Sequence, residues 1–317
     1  MDIDALITDF PAGITAIDTG YVRPSMTASH LIVEQGRAAF VDTGPNSAVP
    51  RLIAALEAKR LAPEDVDLVC LTHVHLDHAG GAGELMALLP NATAVLHPRG
   101  APHMADPTRL EGGSRAVYGD QAFEAMYGSI RPIPEARIRV VADEEQIELA
   151  GRPLRFLHTE GHARHHYCIH DPGARIIFSG DSFGLSYREF DTERGPFILP
   201  STTPVHFDPD AAIASVRRLM SAEPEAIYLT HFSRVEDLPR LAVELCDDIR
   251  AYVDFADRVA DKEDPEQWLR EAIRQRLFER LDAHGCNTDA DWRYAILSAD
   301  IKLNAAGILV WLQRRQR

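Results

Sequence analysis

Four potential metal ligands fall within six residues of the 317-residue chain, in Thr72-His73-Val74-His75-Leu76-Asp77-His78-Ala79-Gly80-Gly81. Imidazole and carboxylate donors in a cluster without thiolate suit zinc, iron or manganese. A loop leaving a strand can fan all four side chains into one pocket, which a straight strand or helix cannot do. The small residues Ala79, Gly80 and Gly81 let a following helix begin close to bound cations with its N-terminus toward them. Three further donors follow in order, each after a predicted strand. They are His162 in Gly161-His162-Ala163, Asp181 in Ser179-Gly180-Asp181-Ser182, and His231 in Thr230-His231-Phe232. Seven N/O donors suffice for two cations with three protein ligands each and one shared carboxylate, leaving positions open for water. Two cations sharing a water would make hydroxide at neutral pH and polarise a scissile carbonyl or phosphoryl oxygen, so no serine or cysteine nucleophile is required.

The elements that must position these donors are legible in outline. Gly13–Thr19, Ala28–Gln35 and Ala38–Asp42 are β-branched or apolar runs broken by Gly20, Pro24 and Gly36. Val49–Lys59 has helical spacing through Leu52, Ile53 and Leu56, and Val66–Leu71 is a short run of the buried-strand type. A helix near Gly83–Leu89 and a strand Thr93–His97 complete a second strand–helix unit. Pro98–Ala136 reads as irregular and helical. Arg137–Val141, Gln146–Leu149 and Leu154–His158 read as antiparallel strands, and Tyr167–His170 with Arg175–Ser179 as a hairpin across Asp171-Pro172-Gly173. Pro209–Met220 is amphipathic and Ala226–Thr230 strand-like. The two halves repeat strands followed by a strand–helix ending, which predicts an α/β sandwich of two mixed sheets with helices outside. Beyond Pro239 the texture is helical only: Leu241–Val259, Pro265–His284 and Asp289–Gln313, with Asp264-Pro265 and Asp289 as starts and Gly285 as a stop. We divide the chain into a catalytic domain at 1–238 and a helical extension at 239–317.

Composition narrows the function classes. Lys and Arg number 33 against 48 Asp and Glu, a net charge of −15. Such an excess repels phosphate backbones and anionic lipid, so a small-molecule substrate is expected, with neither nucleic acid nor membrane as partner. Asp2, Asp4 and Asp9 stand where a signal peptide would be basic, and no stretch approaches the ~18 apolar residues of a bilayer span. The four cysteines are widely spaced with no C-x-x-C pair, which argues against a disulfide framework and for the reducing cytoplasm.

The ordered set Asp42 in Val-Asp-Thr-Gly, His73/His75/Asp77/His78, His162, Asp181 and His231 resembles the five motifs of the metallo-β-lactamase superfamily, over roughly residues 10–235. It is most similar to the glyoxalase II-like branch. The segment His97-Pro98-Arg99-Gly100-Ala101-Pro102-His103 with Val117-Tyr118-Gly119-Asp120 further resembles a prokaryotic subgroup of generic metallo-hydrolases. The resemblance implies the αββα fold, with the C-terminal helices outside the family core. It implies that His73, His75 and His162 hold one divalent ion and Asp77, His78 and His231 a second. Asp181 would bridge them and Asp42 would brace the ligand loop. Asp77 and Asp181 are the catalytic candidates; zinc is the first expectation for the metal, with iron or manganese as alternatives.

These features predict a metal-dependent hydrolase of a small ester, thioester or lactone. The rivals are a phosphodiesterase or a persulfide dioxygenase on the same fold, or a regulatory or sensor protein acting through its helical tail. The lysine and tyrosine with which glyoxalase II grips glutathione are not apparent after Asp181. No basic arm accompanies the site, and no flavodoxin domain follows. Tyr187 and Arg188, downstream of Asp181, are candidates for substrate contact. His166 is a candidate for orienting a ligand, and His165 for a structural place beside it. Arg314, Arg315 and Arg317 read as a solvated helix end. The apolar spacing of the tail predicts that it narrows the active-site mouth or forms a homodimer contact.

Overall fold

The computed structural model describes residues 3–259 and 262–316, so Asp2 and Arg317 lie outside the described residues. They fall into two compact units. The first lies within Met1–His158, His165–Gly180 and Thr230–Ser233; the second lies within Thr159–Arg164, Asp181–Leu229 and Arg234–Arg317.

The first unit contains strands of both sheets. Strands β1 (Ile7–Phe10), β2 (Ile14–Asp18), β3 (Ala28–Glu34) and β4 (Arg37–Val41) are antiparallel neighbours. Parallel to β4 run β5 (Val66–Cys70), β6 (Thr93–Leu96) and β7 (Ile138–Val140), completing a seven-stranded mixed sheet. Helices α1 (Val49–Ala58), α2 (Leu76–Ala79) and α3 (Ala82–Leu88) occupy the connections around β5, and α4 (Ala101–Ala105), α5 (Thr108–Tyr118) and α6 (Asp120–Met126) link β6 to β7. One apolar cluster joins Leu31, Phe40, Leu52, Leu56, Val69 and Leu85, all at most 1% exposed. Each such burial contributes about 1.5–3 kcal/mol, and the three- and four-residue spacing of Leu52, Ala55 and Leu56 is what makes α1 a helix here.

The second sheet brings β8 (Gln146–Leu149), β9 (Arg152–His158), β10 (Tyr167–Asp171) and β11 (Ile176–Gly180) together as an antiparallel run. The Tyr167 hydroxyl donates to the Val95 carbonyl of β6 at 2.7 Å, a polar stitch between the sheets. Burial pushes that phenol well above its ordinary pKa, so it stays a donor.

One strand assignment needs correction. Arg137–Val141 was expected to pair antiparallel with the strands after it, whereas β7 is parallel to β6, with Ala94 opposite Ile138. The helices α4–α6 supply the long crossover that a parallel pair requires, and a three-residue strand carries too little pattern to reveal its partner. Strand β1, half-exposed along its length, carries no alternation either.

In the second unit lie α7 (Pro209–Ser221), β12 (Ala226–Leu229), α8 (Leu238–Asp257), α9 (Pro265–Ala283) and α10 (Ala290–Arg315). The expected starts hold: Asp264 caps Gln267 N at 3.0 Å, and Asp289 caps Asp291 N at 2.9 Å and Trp292 N at 3.2 Å. Each cap is worth about 1 kcal/mol. Gly285, at φ +85°, stops α9. The wholly buried Asp248 of α8 accepts from Arg276 Nε at 2.7 Å and from Arg280, clamping α8 to α9. Burial raises its carboxyl pKa, and the two guanidinium groups oppose that shift.

The expectation that no stretch reaches span length is also corrected. Among the described residues one helix, α10, is long and apolar enough to cross a membrane. Its Asp300 and Asn304 are nevertheless buried and hydrogen-bonded within the second unit, which is how an apolar helix packs in a protein core. All four cysteines are buried, and Cys168 Sγ donates to the Ser179 carbonyl at 3.4 Å.

Candidate metal centre

Parallel strands end on the same edge of a sheet, so β4 and β5 deliver Asp42 and the Thr72–His78 loop side by side. Asp42 is completely buried and accepts four donors: Thr72 N at 2.8 Å, Thr72 Oγ1 at 2.8 Å, His78 Nδ1 at 2.8 Å and Thr230 Oγ1 at 2.8 Å. It thereby ties the ends of β4 and β5 to the segment carrying His231. A carboxylate only accepts, so His78 carries its proton on Nδ1 and leaves Nε2 as an electron-pair donor. His231 is fixed in the same sense: its Nδ1 donates to the Met26 carbonyl at 3.0 Å.

The Nε2 atoms of both imidazoles converge on one carboxylate. Asp77 Oδ2 lies 3.6 Å from His78 Nε2 and 3.3 Å from His231 Nε2, and ligand atoms of these three residues lie within 4.8 Å of one another. His73 Nε2 and His75 Nδ1 approach to 2.9 Å. Thr72 Oγ1 directs its hydrogen to Asp42, so its lone pair takes the His73 Nδ1 proton at 3.2 Å and again Nε2 is left for a ligand.

The second unit holds the remaining two donors together. His162 Nε2 lies 3.5 Å from Asp181 Oδ2. Ser201 supports both, its carbonyl accepting from His162 Nδ1 at 3.1 Å and its hydroxyl donating to Asp181 Oδ2 at 3.1 Å. Behind the pair is a cavity of about 10 Å³, lined by Ser182, Phe207, Ser215, Leu245 and Ile249 among others, with room for one water. The side chains of α8 thus back this pair of donors.

A histidine ligand whose second nitrogen is held by a carboxylate, carbonyl or hydroxyl has the tautomer and ring orientation that a divalent cation needs. His73, His78, His162 and His231 all have this form, so the donor set fits a divalent metal. No Cβ could replace hydrogen at Gly180: it would lie 2.6 Å from His166 Nε2 and 2.7 Å from Thr72 Oγ1. The end of β11 therefore packs directly against the ligand loop.

The other expected residues are found as follows. His166 is fully buried and stacks on His73 with ring centroids 4.8 Å apart, while His165 meets His75 edge-on at 5.6 Å. Tyr187 is fully buried, with its hydroxyl 3.2 Å from Asp300 of α10. Arg188 folds back onto the Ser186 carbonyl at 2.7 Å and pairs with Asp191 at 3.3 Å. The motif reading missed Thr72, Thr230, Ser201 and the Met26 carbonyl, which orient ligands rather than supply them. The one local signal is the threonine immediately preceding a histidine in both Thr72-His73 and Thr230-His231.

A family profile described as Metallo-beta-lactamase superfamily matches residues 22–231. The chain belongs to that superfamily. Among its relatives, the metallo-beta-lactamase fold-containing protein ST1585 of Sulfurisphaera tokodaii is 23% identical over 69% of this chain and 78% of its own. A hydroxyacylglutathione hydrolase of Tolumonas auensis is 23% identical over 68% of this chain and 73% of its own. The human acyl-coenzyme A thioesterase MBLAC2 is 30% identical, but over 41% of this chain and 46% of its own. Among solved structures, the family protein TTHA1429 of Thermus thermophilus superimposes with a TM-score of 0.67 at 20% identity, covering 96% of this chain and 94% of that one. The αββα sandwich with a C-terminal helical region is therefore the fold of this metallo-β-lactamase superfamily member.

Proposed function

We propose that the protein is a dinuclear metal-dependent hydrolase acting on a small acyl compound, with a thioester as the first substrate class and esters or lactones beside it. The observation that carries this reading is the convergence of Asp77, His78 and His231, each imidazole presenting Nε2 while its Nδ1 is held by protein. In this reading His73, His75 and His162 hold one cation, Asp77, His78 and His231 the other, and Asp181 is shared. Zinc is the metal we propose first. The acyl preference draws on two relatives named for acyl–thiol substrates, acyl-coenzyme A and hydroxyacylglutathione.

Two divalent cations in such a donor set would supply Lewis acidity, polarising a carbonyl and acidifying water. The chain's own work is to fix the donors. Asp42 holds the His78 proton on Nδ1 and, through the Thr72 hydroxyl, does the same for His73. Ser201 holds His162 and orients the Asp181 carboxylate. Asp77, with its side chain 21% exposed, is the one of these carboxylates open enough to exchange a proton with solvent as an acyl bond is cleaved. Tyr187 has its hydroxyl on Asp300 inside the second unit, so we assign it to packing of α10 and not to substrate.

The test is metal analysis of natively purified protein, followed by hydrolysis of an acyl thioester, an acyl lactone and bis-p-nitrophenyl phosphate on the same sample, with Asp181→Ala as the blank. We expect two metals per chain and thioester turnover well above the blank. Strong phosphodiester turnover with both acyl substrates at blank level would overturn the substrate class, and metal-free protein would overturn the centre.

A further inference from the structure

The C-terminal helix α10 and two of the metal-ligand candidates meet at one three-residue segment, Pro200-Ser201-Thr202. Asn304 of α10, 2% exposed, grips both ends of it. Its Oδ1 accepts from Thr202 N at 2.7 Å and from Thr202 Oγ1 at 3.0 Å, and its Nδ2 donates to the Pro200 carbonyl at 3.0 Å. The Asn304 carbonyl also accepts from Thr202 Oγ1 at 3.1 Å. One helical turn further on, Gly307 comes so near that an added Cβ would lie 1.5 Å from the Thr202 carbonyl oxygen. Helix and segment are therefore in direct backbone contact, with no slack between them.

The residue between the two gripped ends is Ser201, whose carbonyl holds His162 Nδ1 and whose hydroxyl holds Asp181 Oδ2. An asparagine suits this place because it donates and accepts at once: the Thr202 N–H needs an acceptor, and the Pro200 carbonyl needs a donor. An aliphatic residue there would leave both groups buried without partners. From this geometry we infer that Asn304 is a positioning residue of the metal centre, acting through Ser201 on His162 and Asp181. On this inference the C-terminal helices are part of the centre's support and not an appended cover. The inference rests on the metal-centre reading above and adds a residue 142 positions beyond His162 to it.

Partners that orient a ligand from behind are typically worth 10–100-fold in metal affinity when removed. The experiment uses the full chain, stripped of metal and titrated with Zn²⁺ against a chromophoric chelator, with thermal unfolding of each apo-protein measured alongside. Asn304→Ala is expected to weaken zinc retention on the order of tenfold, with kcat recovering at saturating zinc and KM unchanged. Asn304→Asp keeps the acceptors for Thr202 but loses the donor to Pro200, so it is expected to fall between the two and to fold even where the alanine variant does not. Leu297→Ala removes apolar bulk from the same helix at a residue with no side-chain hydrogen bond. It should lower the apo unfolding temperature and leave zinc affinity as in the unmodified protein. Equal zinc affinity in Asn304→Ala, or in Asn304→Asp if only that variant folds, overturns the inference while the metal centre stands. So does equal weakening by Leu297→Ala, which would mark a general loss of structure. Failure of the unmodified chain to retain zinc overturns the metal-centre reading itself.

Discussion

Replacing Asp42 by asparagine changes one oxygen for an amide group and leaves the shape alone, so its effect can be worked out atom by atom. Asp42 Oδ1 must remain an oxygen, because it accepts from the backbone N–H of Thr72, which can only donate. The new NH₂ therefore takes the place of Oδ2, facing His78 Nδ1 and Thr230 Oγ1. The threonine hydroxyl can rotate to accept. His78 cannot keep its proton on Nδ1 against an N–H donor, and it relieves the clash by moving the proton to Nε2, the atom it needs for a metal. Restoring the ligating form then breaks the amide's bond to Nδ1 and leaves a buried donor unsatisfied, about 1–3 kcal/mol, or roughly 5- to 150-fold in affinity. His73 is spared, because the Thr72 hydroxyl still reaches Oδ1 at 3.0 Å. The expected result for Asp42→Asn is a folded protein that retains one metal with unchanged affinity and holds the second weakly, read by chelator competition and metal analysis. Two metals held as tightly as before would refute the tautomer argument. Loss of both from a folded protein would show that Asp42 governs His73 as directly as His78.

Three other outcomes follow from buried groups. His30 is 1% exposed and burial pushes its pKa down to about 4. An unfolded histidine binds its proton near pH 6.5, so stability is lost as pH falls from there toward 4, by about 2 kcal/mol at pH 5. Denaturant unfolding at pH 7.5 and pH 5 should show a loss smaller by this amount in His30→Gln than in the unmodified protein. The rest comes from groups such as His97, whose pKa burial also pushes down to about 4. Equal pH dependence would remove His30 as the cause. Tyr187→Phe leaves the buried Asp300 carboxylate without this donor and should cost about 1–3 kcal/mol of stability at unchanged metal content. A fall in KM-dependent activity without a loss of stability would return Tyr187 to the substrate. A chain ending at Pro239 would strip α8–α10 from the second unit, exposing the faces of α7 and of the Pro200–Thr202 segment, and is expected to aggregate. A soluble, active product would mean that the helices contribute neither core nor support.

The sequence announces ligands far better than it announces what holds them. His73, His75, Asp77 and His78 are visible because four rare donors share one loop, and His162, Asp181 and His231 because each follows a recognisable strand. Helix starts at Asp264 and Asp289 are equally plain, since a cap acts within three residues of itself. Asp42 is noticed in its motif, but its four partners come from two distant segments, and no spacing encodes that Thr230 will meet it across 188 positions. Ser201 and Asn304 are weaker still as signals, being common residues in a loop and in an apolar helix. Strand β1 escapes for a different reason, because its four half-exposed residues carry no alternation to read, and the three residues of β7 read as a strand without revealing that β6 is their partner.

The helical tail shows how a local reading can be right about elements and silent about what they hold in place. Its apolar spacing says that it must pack, and a lid or a dimer contact are the uses that suggest themselves when the tail is considered apart from the core. The hydrogen bonds argue against a lid that opens. A lid makes its contacts at a mouth and must release them, whereas Asn304 satisfies two backbone groups of a buried loop that have no solvent to turn to, and Gly307 lies too near Thr202 for α10 to slide. Opening would leave those groups unsatisfied at about 1–3 kcal/mol each, in addition to the apolar surface exposed. Asp248, completely buried between Arg276 and Arg280, fixes α8 to α9 by the same logic, since separating the helices would strand a charge in the interior. A segment held by buried polar contacts between α8 and α9 and between α10 and the Pro200–Thr202 loop is built to stay. What it holds still is the Ser201 loop, and with that loop the orientation of His162 and Asp181.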